Sequence, residues 1–355
     1  MFHHSPKCVA RCLIRVWPFL QISQGDLIMK SSKTISIKFK KSTIFLVAAL
    51  SASGQALAAP YAYVPNEKDG TVSVIDTVTD KITQTLPSKG RLGKKIQGLA
   101  LDSAAKTLFV VDAESGALKV VDISSHKLFK KIPVGQSPEG ISLSPDGKAM
   151  AVCLEEENAV AFIDIASLKM SHKVKIQGKN PEHCVYSPDG NWLLASNEES
   201  SDVDVLDMAT KKSVARIKSA GHPRGIGFLP DGKFAYIANE EANLTEVIDT
   251  TNWTSVKSIP TGLRANGVAI SQNGANVYVS NGGDGTVSVI ETKNNTVTAT
   301  IQVGKRPWNM ALTPDGKKLY VANGRSDNIS VIDTASNQVI QTIAVGKLPW
   351  GIVIR

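Results

Sequence analysis

The stretch MALTPDGKKLYVANGRSDNISVIDTASNQVIQTI, residues 310–343, decides the fold. It holds four short runs, Met310-Ala311-Leu312-Thr313, Leu319-Tyr320-Val321-Ala322, Ile329-Ser330-Val331-Ile332 and Val339-Ile340-Gln341-Thr342-Ile343. Apolar and β-branched residues bounded by turn residues read as strands. The first turn, Thr313-Pro314-Asp315-Gly316, has hairpin chemistry. Proline presets the first turn position, aspartate bonds its own backbone, and glycine accepts a positive φ. The same turn recurs as Ser144-Pro145-Asp146-Gly147, Ser187-Pro188-Asp189-Gly190 and Leu229-Pro230-Asp231-Gly232.

The whole unit recurs as well. Its third strand ends on Asp76, Asp122, Asp164, Asp207, Asp249, Glu291 and Asp333, in steps of 46, 42, 43, 42, 42 and 42 residues. A fixed period of this size marks an array of one supersecondary unit. Four strands repeated radially make a propeller blade. The pattern therefore predicts an all-β, seven-bladed propeller of four-stranded antiparallel blades over residues 60–355. The array starts on the second strand of a unit, Ala62-Tyr63-Val64, and stops on a lone first strand, Gly351-Ile352-Val353-Ile354. Pairing of these two strands would close the ring and remove an exposed edge.

The formal charge of +8 invites a nucleic-acid or membrane reading. Eight of the 40 basic residues and one of the 32 acidic ones lie in residues 1–58, which leaves a nearly balanced 32 and 31. Residues 29–58 read as an export signal. From Met29 a basic stretch ends in Lys40-Lys41, an apolar run follows over 44–50, and Ala56-Leu57-Ala58 offers a cleavage site. The apolar run is too short to anchor the chain in a bilayer. Residues 1–28 precede this signal and hold no repeat; a start site set too early accounts for them, or a disordered extension. The expected location is periplasmic or secreted, with no membrane anchor after cleavage. Without an aromatic-interleaved basic stripe, nucleic acid is not an expected partner. Of four cysteines only Cys153 and Cys184 lie in the repeats, and both fall in columns that read as core.

Tyr320-Val321-Ala322-Asn323, Tyr278-Val279-Ser280-Asn281 and Tyr236-Ile237-Ala238-Asn239, each leading to a Val-Ile-Asp-Thr-like strand end, resemble the YVTN family of β-propeller repeats. A narrower likeness lies in Asn180-Pro181-Glu182-His183, His222-Pro223-Arg224-Gly225, Arg306-Pro307-Trp308-Asn309 and Leu348-Pro349-Trp350-Gly351, with Asn281-Gly282-Gly283-Asp284-Gly285-Thr286. These runs resemble exported propellers associated with PQQ-dependent alcohol catabolism. The resemblance implies a periplasmic, non-enzymatic accessory protein. Its partner would be a quinoprotein dehydrogenase, a transporter component or a small ligand.

One column departs from the repeat. Just ahead of the first strand it reads Gln97, Glu139, Glu182, Arg224, Asn266, Trp308, Trp350. The next position is glycine except for His183 and Asn309. The first strand of a blade is innermost, so this column is expected to ring the channel mouth. Arg306 lies in the same loops. Loops between second and third strands reach the same face and are acidic: Glu155, Glu156 and Glu157, then Glu198 and Glu199, then Glu240 and Glu241. Such a rim suits a basic partner or a hard cation held by oxygen ligands. A solvated charged face is the plain alternative for any single glutamate. No cofactor is expected beyond such a bound cation, whose identity the residues leave open.

Other motifs give no reaction. The repeated aspartates occur once per blade and fit turn caps. His183 and Cys184 are adjacent in a strand and should point to opposite faces, so they are no metal pair by spacing alone. No zinc, haem, nucleophile-elbow or P-loop spacing occurs. Three readings remain: a binding propeller using the channel-mouth column, a lyase or hydrolase using Glu139, Glu182 and His183 with a cation, and a structural or adhesive surface propeller.

Overall fold

The computed structural model describes residues 60–355, so the segment expected to be an export signal and the residues ahead of it lie outside the described part. Within it, seven antiparallel sheets of four strands form a closed ring. Inner strands of successive blades touch around the axis, and outer strands lie at the rim. The inner strands of blades 2 to 7 are Ile96–Leu101, Pro138–Leu143, Pro181–Tyr186, Pro223–Phe228, Ala265–Ile270 and Pro307–Leu312. Blade 1 takes its inner strand from the chain end. It is shorter than expected, Val353–Ile354, pairing Ala62 with Ile354 and Tyr63 with Val353. Pro349 adds one bridge to Asn66.

Each blade buries both faces of its middle strands, so the core is divided into seven apolar clusters, one per blade interface. Phe109 and Leu118 of blade 2 meet Met150 and Ala161 of blade 3. Val289 and Met310 join blades 6 and 7. The Tyr and Asn of the repeat have structural work. Tyr236, Tyr278 and Tyr320 are fully buried. The Tyr320 hydroxyl reaches Asp80 in the next blade, and that of Tyr236 reaches Asn295. Asn323 accepts from the Gly304 N–H at 3.1 Å and donates to Asn328 and Ser330. The repeat signature therefore clips blades together and pins mouth loops.

The strand-end aspartates are turn caps. Each accepts a backbone N–H two or three residues on, at 2.7–2.9 Å. Those hydrogen bonds and their hydroxyl partners lower all six carboxyls, Asp122 to about 2. A depressed folded value gives stability that is fully present above the unfolded value near 3.8 and is lost as pH falls through the folded one. The denaturant midpoint of Asp122→Ala should therefore lie below that of the wild type at pH 5 and converge with it by about pH 2. A gap unchanged from pH 5 to 2 would contradict the capping account.

Cys153 and Cys184 are unbonded, buried thiols in the apolar cluster between blades 3 and 4. Burial pushes the Cys153 thiol up, and the neighbouring Cys184 adds to this. The only helical turn among the described residues is Glu155–Glu157, on the acidic loop of blade 3.

Candidate functional site

All seven residues of the irregular column line one cavity of about 280 Å³ at the channel mouth. Local backbone explains how. In blades 2 to 7 the ladder between first and second strands slips at the strand entry, between Ile96 and Leu99, Pro138 and Ile141, Pro181 and His183, Pro223 and Ile226, Ala265 and Val268, and Pro307 and Met310. Such an irregularity re-aims side chains. Glu182 and His183, neighbours in the chain, both line the cavity, because simple alternation fails where the ladder slips.

The glycine column also has a cause. A Cβ on Gly140 would lie 2.2 Å from the Glu182 carbonyl oxygen, and one on Gly267 would lie 2.4 Å from that of Trp308. Neighbouring inner strands are too close for a side chain there. Where the column is not glycine, His183 and Asn309 project into the channel. The His183 ring stacks on Trp350, with centroids 5.7 Å apart. Asn309 donates to the Trp350 carbonyl at 3.4 Å. These three residues line both the mouth cavity and a smaller one of about 190 Å³ below it. Burial, with Arg224 nearby, lowers the pKa of the His183 imidazole to about 4.

The acidic rim is not a uniformly solvated face. Glu240 is 4 % exposed and is the shared acceptor of three guanidiniums. Arg224 reaches it at 2.7 Å, Arg264 at 2.6 Å and Arg306 at 2.9 Å. Arg224 also pairs with Glu198 at 2.7 Å and contacts Glu182. Burial opposes the Arg224 charge, but Glu182, Glu240 and Glu198 more than offset it. Burial likewise raises Glu240, and the arginines outweigh this and bring it below its ordinary value. Glu139 behaves oppositely: burial and the neighbouring Glu182 push it well up. Burial also raises Glu182, against the pull of Arg224. Glu157 turns away to Lys173 at 2.7 Å. Glu156, Glu199 and Glu241 stay exposed.

Sequence reasoning missed Glu67 and Lys95, which complete the cavity wall. Glu67 follows Asn66 as Glu198 follows Asn197 and Glu240 follows Asn239. Extending the acidic column to blade 1 would have found it. In blades 6 and 7 that column is Gly282 and Gly324. A Cβ on Gly324 would lie 2.3 Å from the Trp308 ring, so the glycine makes the seat for the indole. A second hollow of about 750 Å³ adjoins the mouth over blades 6 and 7, with Arg264, Lys305, Arg306 and Arg325 on its wall. Glu139 and Glu182 thus lie over blades 3 and 4, and Lys305 and Arg325, with Asp284 among them, over blades 6 and 7 on the side of Trp308.

Residues 93–273, about half of the chain, match the YNCE-like β-propeller model. Residues 207–342 match the model of the seven-bladed β-propeller lactonases. Among solved structures, hydrazine synthase of Kuenenia stuttgartiensis is 24% identical with a TM-score of 0.71, over 77% of this chain and 92% of that one. A functionally unknown protein from Desulfotomaculum acetoxidans is 19% identical with a TM-score of 0.73, over 83% and 98% of the two chains. The dihydro-heme d1 dehydrogenase NirN in complex with DHE is 17% identical with a TM-score of 0.59, over 80% and 63%. At these identities the likeness is one of fold. Comparison with the curated proteins gives no match.

Proposed function

The chain belongs to the YNCE-like β-propeller family, and on that premise we propose that it is an exported binding protein whose channel mouth takes a small anionic ligand. The observation that carries this reading is the convergence of the one variable column of a strict repeat on a single cavity. Propeller folds host many functions, so the site and not the fold must decide. Trp308 and Trp350 supply apolar, stackable surface, and indoles at a wet mouth suit a ligand with a flat part. Lys305 and Arg325 of the adjoining hollow, which Glu240 does not engage, supply charge-assisted donors for carboxylate or phosphate groups. In this reading the protein serves PQQ-dependent alcohol oxidation as an accessory. That context rests on the resemblance of its four proline-centred mouth loops.

The test is capture from a periplasmic extract of alcohol-grown cells, with bound small molecules and proteins identified by mass spectrometry. Trp308→Ala combined with Trp350→Ala should lose at least tenfold of the retained ligand while the fold survives, since both indoles are only half-buried. Equal retention by the variant, with a native circular dichroism spectrum, would remove the indoles from the site.

A second reading, a lyase or hydrolase with a metal-assisted site, is favoured by the match of residues 207–342 to the lactonase model and by the carboxylates around Glu139. Turnover of a lactone by the purified protein, abolished by Glu182→Gln, would displace the accessory reading.

A further inference from the structure

We propose that Glu139, Glu155 and Glu182 form a site for one hard divalent cation, calcium first among them, with the Gln97 side-chain carbonyl as a fourth ligand. One carboxylate oxygen from each glutamate lies within 4.8 Å of the others. Bonds from calcium to oxygen are about 2.3–2.6 Å, so a single ion can bridge ligand atoms separated by that much, whereas the shorter bonds of magnesium, about 2.0–2.1 Å, span less. The donor set is oxygen alone, which suits a hard cation over zinc or copper.

An acidic cluster alone would not make a site. Two further observations do. Gln97 is 5 % exposed, lines the same cavity as Glu139 and Glu182, and its Oε1 has no hydrogen-bond partner. A buried carbonyl oxygen without a donor is costly and rare in native proteins, and a cation would satisfy it. The charge balance is the second. Arg224 is committed to Glu182, Glu198 and Glu240, and Arg264 and Arg306 to Glu240. Among the described residues no lysine or arginine stands at ion-pair distance from Glu139 or Glu155. Buried carboxylates without a cationic side chain beside them are held by a proton or by a metal ion. Ser137 donates to Oε2 of Glu155 at 2.8 Å, which orients that carboxylate.

The site is independent of the ligand proposed for the indole side. It uses groups from blades 2, 3 and 4, so an ion there would tie three blades together at the mouth. The anionic ligand is drawn to Lys305 and Arg325, over blades 6 and 7.

The experiment uses the full chain, dialysed against EDTA and titrated by calorimetry with calcium, magnesium and manganese chlorides. Terbium serves as a luminescent stand-in, sensitised by tryptophans that share the cavity. The expected result is one equivalent of calcium per chain, bound at least tenfold more tightly than magnesium, with a rise in melting temperature. Glu139→Gln and Glu155→Gln should each weaken binding by about 100-fold, and Gln97→Leu by about tenfold. Neither glutamate is part of the arginine network, so these variants keep the fold. Asp231→Asn, in a turn on the far face, should bind as the wild type does. Absence of uptake of all three metals at millimolar concentration overturns the proposal. So does uptake that Glu139→Gln and Glu155→Gln leave unchanged, which would place the ion elsewhere on the rim. Failure here with intact ligand capture leaves the indole-side reading standing.

Discussion

Removal of residues 349–355 is expected to lower the melting temperature of the propeller by about 10 °C and to make it self-associate. These residues complete blade 1. Tyr61 donates its N–H to the Arg355 carbonyl at 3.0 Å, Arg355 returns the bond at 3.2 Å, and the Trp350 N–H reaches the Pro65 carbonyl at 3.1 Å. Ile352 and Ile354 pack against the cluster between blades 7 and 1, and Val353 against that between blades 1 and 2. Three half-buried aliphatic chains at about 1 kcal/mol each, with the lost ladder bonds, come to about 3–5 kcal/mol. At about 2–4 °C per kcal/mol this gives the stated shift. The strand Tyr61–Asn66 would become a bare edge with unpaired N–H and C=O groups, a template for pairing with a second copy. Calorimetry and light scattering read the two effects. A truncated chain that melts as the wild type does and stays monomeric would mean that the blade interfaces alone hold the ring closed.

Glu240→Ala is expected to cost about 3–5 kcal/mol of stability, the range for breaking a buried ion pair from one side. The carboxylate is shared by Arg224, Arg264 and Arg306, which come from blades 5, 6 and 7. Without it the half-buried guanidiniums of Arg224 and Arg306 face one another with less counter-charge. Arg264 is half exposed and contributes less, because water screens it. Glu240→Gln keeps the shape and one acceptor oxygen, and should recover only a minor part of the loss. Urea unfolding measures both. A midpoint for Glu240→Ala within error of the wild type would show that the arginines are held by solvent instead.

The two halves of the mouth were legible to different degrees. The column Gln97 to Trp350 could be read by aligning repeats, because a strict scaffold makes one diverse position conspicuous. The acidic loops could be read as charge, but not their fate. Glu240 and Glu241 are neighbours in the chain. One is buried under three arginines and the other is exposed, and nothing local distinguishes them. Arg306 and Glu240 are 66 residues apart, and their contact needs blades 5 to 7 set around a common axis. The common facing of the neighbours Glu182 and His183 has a related cause. Alternation holds only in a regular ladder, and the slip at the strand entry depends on how the inner strand meets the second strand.

The blade and the count of blades follow from the order of residues, since period, turn chemistry and alternation are local properties repeated seven times. The closure follows from it too, because a unit split between the two ends of the array has one way to be completed. Which charges are paired depends on the tertiary structure. Closing the ring brings inner-strand entries within reach of one another, and the low dielectric there makes every unmatched charge costly. That constraint is what singles out Glu139, Glu155 and Gln97, three residues that lie in three different places in the chain and become one site only when the blades converge.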